Sequence, residues 1–224
     1  MDKNSIIRIS IALGIFVVIQ LVGGTLAKVL LYPITILVTA LHELGHALGA
    51  ILTGGSVNSL RINEDGSGQC ASQGGVASII LMGGYIGSAI FGNLLFYLGV
   101  KRHWLDSIIL TIFAVLLSIA AIFWYDNLLS SILLIAIAVG LIYIRNTVYK
   151  HEILIFIGIA SIWHIIKDFN VGPSSDLEMY AKTIGIFSST VWKYVWLLIV
   201  ISLTALNFKW ILQKKTLKSN QPPK

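Results

Sequence analysis

The sequence predicts an all-α polytopic membrane protein of six to seven transmembrane helices, with a short β-hairpin after the second span. Three observations predict it. Hydrophobic residues make up 56% of the 224 residues and charged residues only 12%, whereas a soluble domain carries about a quarter charged residues to wet its surface. The mean hydropathy is +0.86. Apolar runs close to the roughly 20 residues that a helix needs to cross a bilayer follow one another along the chain. The outside of such a chain faces lipid.

The first run covers 11–26 and follows Lys3 and Arg8. Its flanks resemble those of a signal peptide, but its core is long and nothing soluble follows it, so it reads as a first membrane helix. The second run, 30–52, contains the polar cluster that carries the chemistry. Next come 76–100, interrupted by glycine, then 105–124, 128–144, a short run at 153–166, and 186–211. Counting the short run gives seven spans; leaving it out gives six.

Two linkers are long enough to hold structure. In 54–75, Val57, Leu60 and Ile62 alternate ahead of Asp65-Gly66, the pattern of a small hairpin. In 167–185, Pro173 marks a turn, and Ser174-Ser175-Asp176 with Glu178 reads as a helix start. Residues 1–213 form one transmembrane domain in this reading, and the polar tail 214–224 is expected to be disordered.

The net charge of +6 does not describe a nucleic-acid surface. Its cations sit in short clusters between apolar runs, such as Lys101-Arg102, Arg145 with Lys150, and Lys214-Lys215 with Lys218. Flanking cations of that kind anchor helices at the headgroups, whereas a nucleic-acid groove spreads them along one face. On the seven-span count, Lys and Arg are more numerous at the odd loops and C-terminus, which favours a cytoplasmic C-terminus. Cys70 is the one cysteine, so the chain holds no internal disulfide and no thiolate zinc cluster.

Residues 40–50 read ALHELGHALGA, and His42 to His46 form an HExxH sequence. Residues four apart on a helix lie about 40° apart around the axis, one turn up. Both imidazoles can therefore reach one metal ion. Glu43, about 100° from His42 around the helix, can reach a water bound to that metal. Two His and a carboxylate are donors that suit zinc with an open position for water, and iron or cobalt also fit them. The other reading is that these groups pair to lock helices or relay protons. Ionisable groups within a span are costly and mark function by default, which favours catalysis.

The chain resembles the site-2 protease clan, the M50 family of metallopeptidases, and most of all its M50B-like branch. The resemblance rests on HELGHALGAILTGG (42–55), the hairpin linker, LMGGYIGSAIFGNLLF (81–96) and SSDLEMYA (174–181). It implies a zinc-dependent endopeptidase that cleaves transmembrane or membrane-proximal protein or peptide substrates, with Glu43 as general base. The expected setting is the lipid of a prokaryote's cell membrane, with no nucleic-acid partner. The alternatives are a catalytically inactive protease-like scaffold and a metal-binding or metal-transport protein.

Two histidines do not close a zinc site. The resemblance implies an Asp from a later helix as the third ligand, and Asp176 is the first choice, since it opens a span within SSD. Its rival reading is a helix N-cap. Asp168 and then His164 are the fallbacks; the branch implies an acid near the position of His164, where this chain has histidine. Asp106 and Asp126 read as solvated or capping loop residues, Glu64 and Asp65 as part of the hairpin turn, and His103 and His151 as interfacial. Gly83-xxx-Gly87 and Ser88-xxx-Gly92 read as close helix packing. Asn93 reads as an interhelical hydrogen bonder, and Asn170 is the nearest match to an oxyanion-stabilising Asn. The hairpin reads either as a surface turn or as an edge that takes up an unwound substrate strand.

Overall fold

The computed structural model describes residues 3–101, 105–167, 169 and 171–213. Eight helices and one hairpin follow in the order α1 (Lys3–Val22), α2 (Gly24–Leu52), β1 (Ser56–Ile62), β2 (Gly68–Gln73), α3 (Ala77–Lys101), α4 (Asp106–Phe123), α5 (Leu128–Arg145), α6 (Lys150–Lys167), α7 (Asp176–Ile184) and α8 (Ser189–Leu212). The expected disorder of 214–224 and the roles weighed for Asp168, Asn170 and His103 fall on residues outside those described.

The all-α bundle with a hairpin after the second helix is the observed fold. Five helices are long and apolar enough to cross a membrane: α2, α3, α4, α5 and α8. The apolar part of α1, Ile6–Val22, is shorter. Helix α6 carries Lys150, Glu152 and Lys167 within its 18 residues. The boundary between the first two helices falls earlier than the sequence pattern places it. Gly23 and Gly24 have φ of 62° and 60°, a backbone that only glycine takes up without strain, and the chain breaks there. The result is an α2 of 29 residues.

Helices α2 and α3 touch backbone to backbone. A β-carbon on Gly45 would collide with the Gly83 carbonyl, and one on Gly49 would lie 3.0 Å from the Ile80 Cα. In lipid, where apolar side chains gain nothing by leaving the solvent, such close approach supplies the packing that holds helices together. The Gly83-xxx-Gly87 run serves that contact.

The hairpin packs one face of β1 into the bundle, while Glu64, Asp65 and Ser67 of its turn stay exposed. Leu60 and Ile62 are fully buried, and pack in one cluster with Leu41 and Leu44 of α2, Leu117 of α4 and Leu134 of α5. The turn folds back along α2, where Thr39 Oγ1 donates to the Gly66 carbonyl (2.7 Å) and Tyr32 to the Glu64 carbonyl (2.9 Å). The outer edge of β1 is closed by the α4–α5 connection. Leu60 N–H donates to the Trp124 carbonyl. Ile62 N–H donates to Ser130 Oγ at 2.9 Å, and that hydroxyl donates back to the Ile62 carbonyl at 3.1 Å. Arg61 and Asp126 pair beside them, so Asp126 ties the hairpin down and is not merely a solvated acid.

Candidate metal centre

The helical pitch of α2 sets His42 and His46 one turn apart, with Nε2 atoms 3.1 Å from each other. Asp176 Oδ2 lies 3.1 Å from each of them. Three donors held by one tetrahedral zinc at about 2.0 Å stand roughly 3.3 Å apart. The residues present therefore fit the face of a zinc tetrahedron. Among the described residues these three form the one His/Cys/Asp/Glu group close enough to share a metal ion.

Each donor is aimed by a neighbour. His46 Nδ1 lies 2.7 Å from the Ile80 carbonyl. A carbonyl can only accept, so Nδ1 carries the proton and Nε2 keeps its lone pair for a metal. The His42 ring stands edge-on to Tyr85, with centroids 4.9 Å apart, and Tyr85 stacks on Phe169. On α3, Gly84 leaves room for both rings: a β-carbon there would collide with both Nε2 atoms.

Asp176 is the first residue of α7 and not its cap. The cap is Ser175, whose hydroxyl accepts from the Glu178 amide at 3.2 Å. That leaves the Asp176 carboxylate free to face the histidines. Helix α7 has nine residues and ends at Gly185 in the left-handed conformation. Asp176 thus opens a short separate helix, and the next span, α8, begins at Ser189. The expectation that Asp176 opens a span is corrected to that extent. The 167–185 linker was too long to stay extended and too polar to cross lipid, which suits a short amphipathic helix.

Glu43 is 5% exposed and lines the same cavity as the three donors, a space of ≈ 1160 Å³. The start of β2 presses on it, since a β-carbon on Gly68 would lie 2.5 Å from Glu43 Oε1. His164 lines the cavity from α6 but stands outside the three-donor group. Cys70, on β2, also lines it. Burial, and then the Glu43 and Asp176 carboxylates, push its thiol up to about 12, so it stays protonated at neutral pH.

Residues 68–72 of β2 form one wall of the cavity. The bonds from Leu60 and Ile62 to groups outside the hairpin identify the pairs Leu60–Cys70 and Ile62–Gly68 as the non-hydrogen-bonded pairs of the ladder. The N–H and C=O groups of Gly68 and Cys70 therefore point to the outer edge of β2.

Away from the three donors, some polar residues play the parts the sequence suggested and others do not. Asp106 is fully buried, not solvated, and pairs with His151 across the starts of α4 and α6. Asn93 binds helices together as expected: its Nδ2 donates to Thr204 Oγ1 (3.1 Å), and Asn207 Nδ2 donates to its Oδ1 (3.0 Å). The Ile80 carbonyl, Tyr85 and Gly84 complete the surroundings of the histidines. Only the glycine-rich stretch hinted at them, as a region of close packing.

A family model described as Peptidase M50B-like matches residues 9–207. No curated protein and no solved structure matches the chain.

Proposed function

Since the chain belongs to the Peptidase M50B-like family and is an integral multi-pass membrane protein, we propose that it is an intramembrane zinc metalloendopeptidase. Its substrates are membrane-embedded or membrane-proximal proteins or peptides. The observation that carries this reading is the triangle of His42, His46 and Asp176 donor atoms, 3.1 Å on a side, with buried Glu43 lining the same cavity. Zinc bound there supplies Lewis-acid polarisation of the scissile carbonyl and lowers the pKa of the attacking water. The remaining work falls to the chain. Glu43 takes the proton of the attacking water and delivers it to the nitrogen of the leaving amine. Its burial limits competing water, which strengthens the electrostatics of that transfer.

A helical substrate hides its peptide bonds in its own hydrogen bonds, so the scissile stretch must unwind. The outer edge of β2 is the place for the unwound strand. It borders the cavity, and the N–H and C=O of Cys70 face outward to pair with an added strand.

Zinc content of the purified full chain tests the centre. The expected result is about one zinc per chain in the wild type and in Glu43→Gln, and little in His46→Ala or Asp176→Ala. Glu43→Gln is expected to lose cleavage of a reconstituted transmembrane substrate by at least about 100-fold. A wild type that takes up no zinc would hand the site to the scaffold reading. For the strand, Cys70→Pro removes one edge N–H without touching the ladder. It is expected to keep zinc yet cut cleavage by about 10-fold or more, while Cys70→Ser cleaves normally. Normal cleavage by the proline variant would sink strand addition and leave the metal site standing.

A further inference from the structure

The end of the bundle where α4 begins and α5 finishes carries a second constellation, away from the metal centre. Arg145, in the last turn of α5, donates from Nη1 to Thr111 Oγ1 of α4 at 2.7 Å. Lys150, at the start of α6, donates to Ser107 Oγ at 3.1 Å. Ser107 and Thr111 are one turn apart on α4, so two cations from two other elements converge on one stripe of hydroxyls. Both described carboxylates at this end are engaged elsewhere, Asp106 with His151 and Glu152 with Arg8. Among the described residues, no carboxylate forms an ion pair with Arg145 or Lys150.

A groove of ≈ 510 Å³ runs along α4 past Ile108, Ile112 and Val115, with Arg145 in its wall and Lys150 held on Ser107 at its rim. Those three side chains are about half exposed (49%, 48% and 52%). The groove opens sideways from the helix pair, where the surroundings of a membrane protein are acyl chains. Its polar mouth lies at headgroup depth, marked by Tyr143 and Tyr149, which are 74% and 66% exposed and of the residue type that collects at the membrane interface. A hydroxyl neutralises no charge, so the two cations keep their attraction for an anion from outside. A site with a dication at headgroup level and an apolar trough below it matches one ligand chemistry, an anionic phospholipid.

We infer that the α4–α5 groove binds an anionic phospholipid, with its phosphate on Arg145 and Lys150 and an acyl chain along Ile108, Ile112 and Val115. The inference does not depend on the peptidase reading, because no residue of the metal centre takes part. The lipid would cross-link α4, α5 and the start of α6 at the end of the bundle far from the hairpin.

Native mass spectrometry of the detergent-solubilised full chain tests it, with phosphatidylglycerol and phosphatidylcholine of matched acyl chains as probes. The wild type is expected to retain phosphatidylglycerol at least about 10-fold better than phosphatidylcholine. Arg145→Gln with Lys150→Gln should abolish that preference, and Arg145→Lys should keep most of it. Ile112→Trp fills the trough with the charges intact and should lower phosphatidylglycerol retention severalfold. Circular dichroism and gel-filtration elution, measured on each variant, report folding independently of both the lipid and the metal centre. Equal retention of the two lipids by the wild type would overturn the site. So would undiminished preference in the double Gln variant, which would move the anionic lipid to other cations of the bundle. Retention unchanged by Ile112→Trp would overturn the trough.

Discussion

Gly84 offers the centre no atom to bind with, and the centre depends on the atom it lacks. A β-carbon at this position on α3 would occupy the space of His42 Nε2 and His46 Nε2. Gly84→Ala is therefore expected to spread the two imidazoles and weaken zinc binding by about 10-fold or more, read by competition with a chelator of known affinity. Unchanged affinity would mean that α3 can retreat from α2 at no cost. The Gly45–Gly83 backbone contact argues against that retreat. The Ile80 carbonyl acts at the same scale, because it fixes the tautomer that leaves His46 Nε2 unprotonated.

At the scale of elements, the short helix α7 decides where Asp176, the proposed third donor, sits. Ser175 holds its first turn through the Glu178 amide, and Gly185 ends it at φ 72°. Ser175→Ala removes an N-cap, which costs about 1 kcal/mol in a typical helix. Here the loss also loosens the aim of Asp176. The expected result is a lower melting temperature with zinc affinity reduced severalfold, whereas Ser175→Asp, which caps equally well, should restore both. A drop in melting temperature with unchanged affinity would show that the histidines and α8 hold Asp176 without the cap. The hairpin shows a similar division of labour, since its β1 edge is spent on Ser130 and Trp124 and its β2 edge borders the cavity.

At the scale of the whole molecule, contacts show which helix ends lie together, and charge predicts which side they face. Arg8 pairs with Glu152, so α1 begins at the same end as α6. Lys101 Nζ reaches the Gln213 carbonyl at 3.4 Å, which puts the end of α8 there too. The seven-span count had placed the N-terminus opposite the C-terminus, and these contacts bring them together. That end gathers Arg8, Lys101, Arg145, Lys150 and Lys209, while the hairpin and α7 lie toward the other. With the sequence clusters Lys101-Arg102 and Lys214-Lys215 flanking it, this is the end expected to face the cytoplasm. Single cysteines at Tyr149 and Asp65 in a Cys70→Ser background test this by labelling with an impermeant maleimide in intact cells. Label is expected at position 65 and not at 149; the reverse pattern would invert the orientation.

The sequence by itself determined the medium, the positions of the apolar helices, the hairpin and the HExxH helix. Each of these depends on local pattern: hydropathy over about 20 residues, alternation before Asp65-Gly66, and a spacing of four that one helix turns into proximity. The start of α7 at Ser174-Ser175-Asp176 was legible for the same reason. Tertiary structure alone decided what depends on distant segments meeting. Asp176 stands 134 residues from His42, and the sequence ranked it ahead of Asp168 and His164 without placing any of them near the histidines. Only the fold brings its carboxylate to the histidines while Ser175 takes the capping role. The pairing of Asp106 with His151 and the burial of the hairpin against α2, α4 and α5 were hidden likewise, because spacing along the chain says nothing of which face of one helix meets which face of another.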